Sequence, residues 1–156
     1  ARQGEQPEYL SAFQAARQAA DAMLGLRVLV VTRPQVLDEA VRAFGFNKVV
    51  VAANRDLSQA MVAGTKAARS GASRCFVFCG QPWVTGERLT AFLQGYILSG
   101  RTLGRMIGRD GERGPMVYAP YLLPQLLALK NGEDGSALFQ NREGCAYCWN
   151  ITEQEG

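Results

Sequence analysis

Short apolar runs alternate with amphipathic stretches along the first two thirds of the chain. Apolar side chains recur every three or four residues from Leu10 to Met23, which predicts a helix over residues 7–24. The next run, residues 27–32, is rich in β-branched side chains and predicts a buried strand. The alternation continues with predicted helices at 34–44, 56–70 and 86–98 and predicted strands at 48–52 and 75–79.

This alternation is typical of a parallel sheet covered by helices on both faces. After Gly100 the rhythm changes, and two predicted strands flank a polar turn at residues 110–114. The elements predicted in this part are strands at 102–108, 116–119 and 145–151 and helices at 121–130 and 134–140. Because no repeat or linker interrupts the pattern, we expect one domain over residues 1–156. Its expected architecture is a three-layer α/β/α fold with a mostly parallel, Rossmann-like sheet.

Composition excludes several classes of function. The chain has no histidine, which removes Ser-His-Asp and Cys-His catalysis and histidine metal sites. Its 17 Lys and Arg against 14 Asp and Glu are scattered, so no nucleic-acid surface is indicated. No run approaches the roughly 18 apolar residues of a membrane span, and the first eight residues lack a signal-peptide core. We therefore expect a cytoplasmic protein with no membrane partner.

The four cysteines allow three interpretations. A cytoplasmic location favours reduced thiols, and cysteine is among the residue types most often buried, so core packing is expected. Cys145 and Cys148 have the spacing of a zinc or redox pair, and Cys75 and Cys79 face one side of a predicted strand. Zinc binding and redox chemistry therefore remain as alternatives. Cys79 lies beside the candidate ligand crevice and is expected to be the accessible thiol.

The segment Cys79-Gly80-Gln81-Pro82-Trp83-Val84-Thr85 is a candidate ligand-binding turn. It follows the third predicted strand, and parallel α/β sheets bind ligands beyond the carboxyl ends of their strands. The segments after Val51 and around Asn150 meet the same condition. The sequence contains neither G-x-G-x-x-G nor G-x-x-x-x-G-K-[ST], so neither common phosphate-binding loop is present in it.

Five segments together resemble the molybdenum cofactor nucleotidyltransferases, the MobA-like NTP transferase domains. Residues 79–85 resemble the family's G-D-Q-P-L-V-T or C-D-M-P-L-V-T turn. Asn54 with residues 59–64 resembles an Asn followed by a G-M-x-x-S helix. Farther on, residues 113–118 resemble a G-H-P strand and residues 129–137 an L-x-G-D-x-G-A segment, and the last seven residues resemble D-I-D-T-P-E-D. The resemblance runs in order from about Arg27 to the end of the chain.

The resemblance implies a fold of the nucleotide-diphospho-sugar transferase type and a reaction. Family members transfer CMP or GMP from CTP or GTP to molybdopterin with Mg²⁺. Carried over position by position, it implies nucleotide contacts from Asn54, Gly80, Gln81 and Pro82, substrate contacts from Trp83 and Arg113, and a weakened metal ligand at Asn150. A homodimer is a further expectation.

Four departures from the family pattern put catalysis in doubt. The Asp of G-D-Q-P is Gly80, and the two Asp of D-I-D are Asn150 and Thr152. The His of G-H-P is absent, and so is the N-terminal L-A-G-G/A-x-x-x-R-M-G signature. Carboxylates are the ligands that hold Mg²⁺ in such sites. Either the first strand and its phosphate loop lie outside this sequence, or the protein is a diverged homologue that binds a nucleotide, a pterin or a protein without catalysis. Catalytic residues are therefore left unassigned.

Three of the candidate residues also have purely structural interpretations. Trp83 either stacks on a base or pterin ring or closes the strand ends as a hydrophobic plug. Asn54 either contacts the nucleotide or forms a turn or helix cap. Arg113 either meets a phosphate or keeps its surface soluble. Asp134 is expected to cap its helix, and Met61 is expected in the core.

Overall fold

The structure, a computed structural model, describes residues 7–33, 35–51 and 57–155. Asn54 lies outside the described residues. Within them, the strands are β1 Leu29–Thr32, β2 Asn47–Val50, β3 Arg74–Phe76, β4 Leu103–Ile107, β5 Arg113–Tyr118 and β6 Tyr147–Asn150. The helices are α1 Glu8–Ala22, α2 Asp38–Phe44, α3 Leu57–Ala67, α4 Gly86–Ser99, α5 Leu123–Leu127 and α6 Ile151–Glu155. Three 3-10 segments span Pro120–Leu122, Gly135–Phe139 and Glu143–Cys145.

The strands form two sheets. β1 and β2 pair in parallel, and the other sheet has the order β3-β5-β4-β6. β4 is parallel to β6, whereas β5 is antiparallel to both of its neighbours. β3, β4 and β6 therefore run in one direction and β5 runs against them. The expected α/β architecture is confirmed, although the sheet is divided between β1 and β3.

Helices on both faces join the two sheets. On one face, Phe13 of α1 packs edge-on against Phe44, with ring centroids 5.4 Å apart, while Ala15 and Ala19 pack in the core cluster that contains Phe92 of α4. On the other face, α3 contacts β1, β2 and α5. The chain thus has three layers, with helices α1 and α4 on one side of the strands and α3 and α5 on the other.

Alternation along β3 and the two residues after it divides the core between these layers. Cys75 and Val77 pack with the cluster of α1 and α4, whereas Phe76 and Phe78 pack with the cluster that contains Met61 of α3. Successive side chains of an extended segment point to opposite faces, which explains the division. Met61 is buried as expected.

Several predicted boundaries need correction. The second helix begins at Asp38 and not at residue 34, because Gln35 and Leu37 adopt left-handed backbone angles, with φ of 65° and 64°. The polar segment predicted as a turn ends earlier, since β5 begins at Arg113. The predicted helix at 134–140 is a 3-10 segment. The polar end of the chain forms α6 in place of a tail.

β1 differs from its sequence prediction in burial. The apolar run predicts a strand buried on both faces, but all four residues of β1 are half-buried. The reason is that β1 pairs with β2 along one edge, and its other edge has no strand partner among the described residues. None of the described helices is long and apolar enough to cross a membrane.

The core between α4 and the larger sheet gives the first prediction. Phe92 is fully buried in this core, so we expect Phe92→Ala to lower the free energy of unfolding by about 3–5 kcal/mol through lost burial and cavity formation. Urea unfolding followed by circular dichroism measures the change. Ile97→Ala on the same helix is the control, because Ile97 is 63% exposed and should change stability by less than about 0.5 kcal/mol. Equal losses in the two variants would contradict this packing.

Candidate functional site

One edge of the larger sheet collects most of the described candidate residues. β3, β4 and β6 end at this edge, and β5 begins there because it runs in the opposite direction. Ile107 of β4 lies between Arg113 of β5 and Asn150 of β6 in the strand register. Adjacent strands are about 4.8 Å apart, so the backbones at Arg113 and Asn150 are about 10 Å apart. The structure therefore places these two positions at one end of the sheet.

The turn that follows β3 is fixed by the beginnings of two helices. The Gly80 N–H donates to the backbone oxygen of Glu8 in α1 at 3.1 Å. At the other end, the Thr85 side chain caps α4 by accepting from the Arg88 N–H at 3.2 Å. Between them, the Val84 N–H donates to the Gln81 oxygen at 3.0 Å. The turn backbone is thus held at three points, and the side chains of Gln81 and Trp83 contact the sheet edge.

Gly80 has the backbone conformation that favours glycine. Its φ is +83°, and a Cβ placed on it would have no heavy atom within 4 Å. The space beside Gly80 is therefore open. The position offers a ligand room and a backbone carbonyl, but it offers no side-chain charge.

Gln81 links the turn to β5. Its Nε2 donates to the backbone oxygen of Arg113 at 2.5 Å. Its Oε1 is buried and has no hydrogen-bond partner among the described residues. An unsatisfied buried acceptor costs about 1–3 kcal/mol, so Oε1 is a position where a ligand donor or a water molecule would be stabilised. Pro82 is exposed beside it.

Trp83 fills a space that two glycines leave. A Cβ on Gly114 would lie 2.6 Å from the indole Cη2, and a Cβ on Gly108 would lie 3.2 Å from Cζ2. The half-buried ring packs with the core cluster that contains Met106 and Trp149. This contact favours the plug over the stacking platform, because a ring packed on the strand ends presents less of its surface to a ligand.

Arg113 is held by an ion pair. Its Nη1 lies 2.5 Å from Asp134 Oδ2, and its guanidinium carbon lies 5.7 Å from the centre of the Phe78 ring. The Arg113 side chain is 48% exposed, so one side of the guanidinium can still reach a solvent-borne anion. The pair places a positive group at the sheet edge and partly neutralises it.

Asp134 also caps the 3-10 segment Gly135–Phe139. Its Oδ1 accepts from the Ser136 N–H at 2.8 Å and from the Ser136 hydroxyl at 2.5 Å. Burial by itself raises the pKa of this carboxyl, but the hydrogen bonds from Ser136 and Arg113 outweigh it and lower the pKa below its usual value. The predicted capping role is confirmed.

Asn150 uses its side chain to begin α6. Its Oδ1 accepts from the Thr152 N–H at 3.0 Å and from the Thr152 hydroxyl at 2.7 Å. The two positions that replace the family's D-I-D carboxylates are therefore bonded to each other. The arrangement is that of a helix-starting turn, in which the amide oxygen is already engaged.

The described part of this edge does not fit a divalent cation. Mg²⁺ and Mn²⁺ prefer several oxygen ligands with negative charge. Gly80 has no side chain, the Asn150 oxygen is engaged by Thr152, and Asp134 is paired with Arg113. Across the described residues, no group of three His, Cys, Asp or Glu side chains is placed to hold a metal ion.

The expectation of buried cysteines is wrong for Cys145 and Cys148, which are exposed. Cys79 is exposed as expected, but it is not the single accessible thiol. Cys145 lies in a 3-10 turn, and Cys148 lies on the outer side of β6, whose inward residue is Trp149. Cys75 is half-buried, and burial raises the pKa of its thiol to about 12. Cys75 and Cys79 face the same side, as the spacing predicted, since both line one groove between α1, β1 and β3.

Two solved structures place this architecture among known proteins. Rv0371c from Mycobacterium tuberculosis H37Rv, in complex with manganese, matches with a TM-score of 0.64 over 94% of this chain and 77% of its own, at 16% identity. CMP:2-keto-3-deoxy-manno-octonic acid synthetase, complexed with CTP, matches with a TM-score of 0.67 over 95% and 80%, at 13% identity. The fold is of the nucleotide-diphospho-sugar transferase type. At the level of sequence, no family model and no curated protein matches the chain.

A homologue of Rv0371c from Mycobacterium sp. strain JC1 shares this fold, with a TM-score of 0.61 over 89% of this chain and 71% of its own, at 17% identity. Within this fold, the structure shows site residues that the sequence did not single out. Phe78 and Ser136 position Arg113 and Asp134, and the Glu8 oxygen holds Gly80. No local motif marks Phe78 or Glu8, because each acts through a contact between distant segments, whereas Ser136 bonds Asp134 two residues before it.

The Arg113–Asp134 pair gives a pH-dependent prediction. Because the pKa of Asp134 is lowered in the folded state, its contribution to stability is present above pH 4 or so and is lost as the pH falls through the folded-state pKa. We expect Asp134→Asn to lower the free energy of unfolding by about 0.5–1 kcal/mol at pH 7, and the difference to shrink toward pH 3. Urea unfolding at pH 7, 4 and 3 measures it.

Asn caps a helix as well as Asp does, so Asp134→Asn isolates the charge. Asp134→Ala also removes the cap and should cost about 1 kcal/mol more. A difference between wild type and Asp134→Asn that does not change with pH would contradict the assignment.

Proposed function

We propose that this chain binds a nucleoside triphosphate, CTP or GTP, at the edge where β3, β4 and β6 end. The observation that carries the proposal is the convergence of the turn at Gly80 and Gln81 with Arg113 at that edge. A basic side chain beside an open glycine turn suits a polyphosphate, because the backbone can approach closely and the guanidinium supplies charge. The CTP complex of the synthetase with the same fold supports a nucleotide as the ligand class.

Each candidate residue has a proposed role in this complex. The Gly80 backbone and Pro82 border the nucleotide, and the unpartnered Gln81 Oε1 accepts from a donor group of the base. Arg113 contacts a phosphate with the exposed side of its guanidinium. Asn54, outside the described residues, is proposed as a base or ribose contact on the family resemblance alone. Trp83 is proposed to support the substrate side of the turn.

We further propose membership of the MobA-like branch, with molybdopterin as the acceptor. In that reaction a phosphate oxygen of molybdopterin attacks the α-phosphorus of the nucleotide and pyrophosphate leaves. An active enzyme of this kind depends on a divalent cation such as Mg²⁺. The manganese complex of Rv0371c supports a divalent ion in this fold, but Asn150, the weak candidate ligand in this chain, has its amide oxygen engaged by Thr152. A cytoplasmic location and a homodimer complete the proposal.

A second candidate function is nucleotide or pterin binding, or a protein interaction, without transfer. The observation that favours it is the neutral ligand set: Gly80, Asn150 and Thr152 replace three carboxylates, and Asn150 and Thr152 bond to each other. Without charge at these positions, a metal–triphosphate complex would be held weakly. Binding and transfer must therefore be measured separately.

Binding is tested by calorimetric titration of the chain with CTP and with GTP. We expect Arg113→Ala to weaken the affinity about tenfold, because it removes a charge-assisted hydrogen bond to phosphate. Arg101→Ala is the matched control and should stay within about twofold. Arg101 lies next to the opposite end of β4 and donates to the Gly144 oxygen at 3.1 Å. No binding of either nucleotide at millimolar concentration would refute the proposal.

Transfer is tested by following pyrophosphate release from CTP or GTP with molybdopterin, with Mg²⁺ and separately with Mn²⁺. Release that requires molybdopterin establishes the first candidate function. Nucleotide binding without release leaves the second candidate, and stoichiometric zinc in the purified protein would revive the thiol-based alternative.

Gly80 offers a gain-of-function test of the neutral site. Asp tolerates the left-handed conformation better than most residues, and the space beside Gly80 is open. If the neutral ligand set is what limits metal binding, Gly80→Asp should tighten Mn²⁺-dependent CTP binding by about tenfold or more. Gly71→Asp is the control, because Gly71 has nearly the same φ, +82°, and equally open space, but precedes β3 at the opposite edge. An equal effect of both substitutions would show general charge attraction only.

A further inference from the structure

Arg105 differs from the other arginines that stack on aromatic rings. In the described part of the chain, three guanidinium carbons lie within 5.3 to 5.7 Å of a ring centre: Arg17 over Phe46, Arg105 over Phe139 and Arg113 over Phe78. Arg17 also pairs with Asp21, and Arg113 pairs with Asp134. Arg105 has neither an ion pair nor a hydrogen bond with a described residue. Its charge is therefore the one of the three that no carboxylate compensates.

The Arg105 guanidinium is enclosed on one side only. Its Nε is buried and has no hydrogen-bond partner among the described residues. Nη1 and Nη2 have no such partner either, but they are not enclosed, and the residue as a whole is half-buried. Removing a cation from water costs free energy, which an anionic partner normally offsets. The open end of the guanidinium is thus a position where an anion from solution would be stabilised.

Three side chains in one row show where this face of the sheet opens. Arg105 of β4 is in register with Met116 of β5 and with Cys148 of β6. Residues in register point to the same face, and neighbouring strands are about 4.8 Å apart. Met116 packs with Met61 of α3 and is buried, Arg105 is half-buried, and Cys148 is exposed. The face covered by α3 therefore opens toward β6, and Cys148 lies at the rim beside Arg105.

The charges on the segment that covers this opening leave it positive. The two described carboxylates of residues 134–145 are Asp134, which is engaged by Arg113, and Glu143, which is exposed and forms no ion pair with a described residue. Arg142 adds a second cation, and its Nη1 donates to a backbone oxygen at 2.9 Å. An anion that reaches Arg105 would therefore not have to displace a carboxylate.

Arg105 lies inside the edge proposed for the nucleotide. Ile107, two residues farther along β4, is in register with Arg113 and Asn150, so Arg105 is about 7 Å from that edge. A guanidinium binds phosphate or carboxylate oxygens through two parallel hydrogen bonds. We propose that Arg105 binds an oxyanion, the phosphate or carboxylate group of a small molecule, beside Cys148. This site goes beyond the proposed nucleotide site, because the two share no residue.

Alkylation of Cys148 tests the site, because the thiol reports the charge beside it. Iodoacetate carries a carboxylate, whereas iodoacetamide is neutral and nearly the same size. The ratio of the two alkylation rates cancels the reactivity of the thiol itself. We expect this ratio of iodoacetate to iodoacetamide at Cys148 to be about fivefold higher in the folded chain than in urea, because the guanidinium attracts the anionic reagent. Tandem mass spectrometry of the labelled peptides measures both rates.

Three comparisons separate the Arg105 charge from other effects. Arg105→Gln should remove the preference for iodoacetate, and Arg105→Lys should keep part of it, because lysine retains the charge but not the planar fork. Arg17→Gln is the matched control, since Arg17 is stacked on a ring but paired with Asp21, and it should leave the ratio unchanged. Cys145 is exposed as well and serves as the internal reference in the same peptide.

Protection experiments identify the anion. With iodoacetamide as the label, we expect inorganic phosphate or succinate to slow the alkylation of Cys148 about threefold or more relative to chloride at equal ionic strength, with little effect at Cys145. Protection by phosphate alone indicates a phosphate ligand, and protection by succinate alone indicates a carboxylate ligand.

Three results would overturn the proposal: the same reagent preference in wild type and Arg105→Gln, an equal loss of preference in Arg17→Gln, or no protection by either anion at about 50 mM. Each would leave Arg105 as a packing residue stacked on Phe139. Because the reagent ratio and the protection are measured on the unmodified chain, they do not depend on the folding of a variant. They also use no nucleotide, so their failure is distinct from failure of the proposed nucleotide site.

Discussion

The direction of β5 is the constraint on which the candidate site depends. Parallel strands deliver only their carboxyl ends to one edge of a sheet, and residues after those ends form turns. β5 runs against β3 and β4, so it brings its first residue, Arg113, to that edge. The same arrangement places the Arg113 carbonyl within reach of Gln81. A basic group on a strand, which is more rigid than a group on a loop, is thereby fixed against the turn at Gly80.

Much of the fold could be predicted because the hydrophobic pattern changes period at nearly every element. α1, α3 and α4 lie within about three residues of their predicted ends, since each presents one apolar stripe to the strands. The hydrophobic pattern predicted the wrong boundaries where contacts between distant segments determine where an element begins. β5 begins three residues early because Arg113 pairs with Ile107, and α2 begins late because Gln35 and Leu37 adopt left-handed angles. The open edge of β1 could not be predicted either, because its apolar sequence is typical of a central strand.

The sequence predicted where part of the candidate site lies better than it predicted which side chains interact there. The turn follows a predicted strand, Asn150 lies near the end of another, and both are at one edge of the sheet, but the position of Arg113 and the partners of each side chain do not follow from spacing. Asn150 bonds Thr152, and Arg113 pairs with Asp134 from a segment about twenty residues away. The position of the Trp83 ring is determined by Gly108 and Gly114, because their missing side chains leave room for it. The exposure of Cys145 and Cys148 was not predicted, because average burial says little about an edge strand or a short 3-10 turn.

The open groove and the neutral sheet edge are parts of one region. Cys79 lines the groove and begins the turn, and the next residue, Gly80, is held by the first turn of α1. The ligand affinity of this edge should thus depend on the charge carried by the strand ends, which the neutral side chains at positions 80, 150 and 152 keep low.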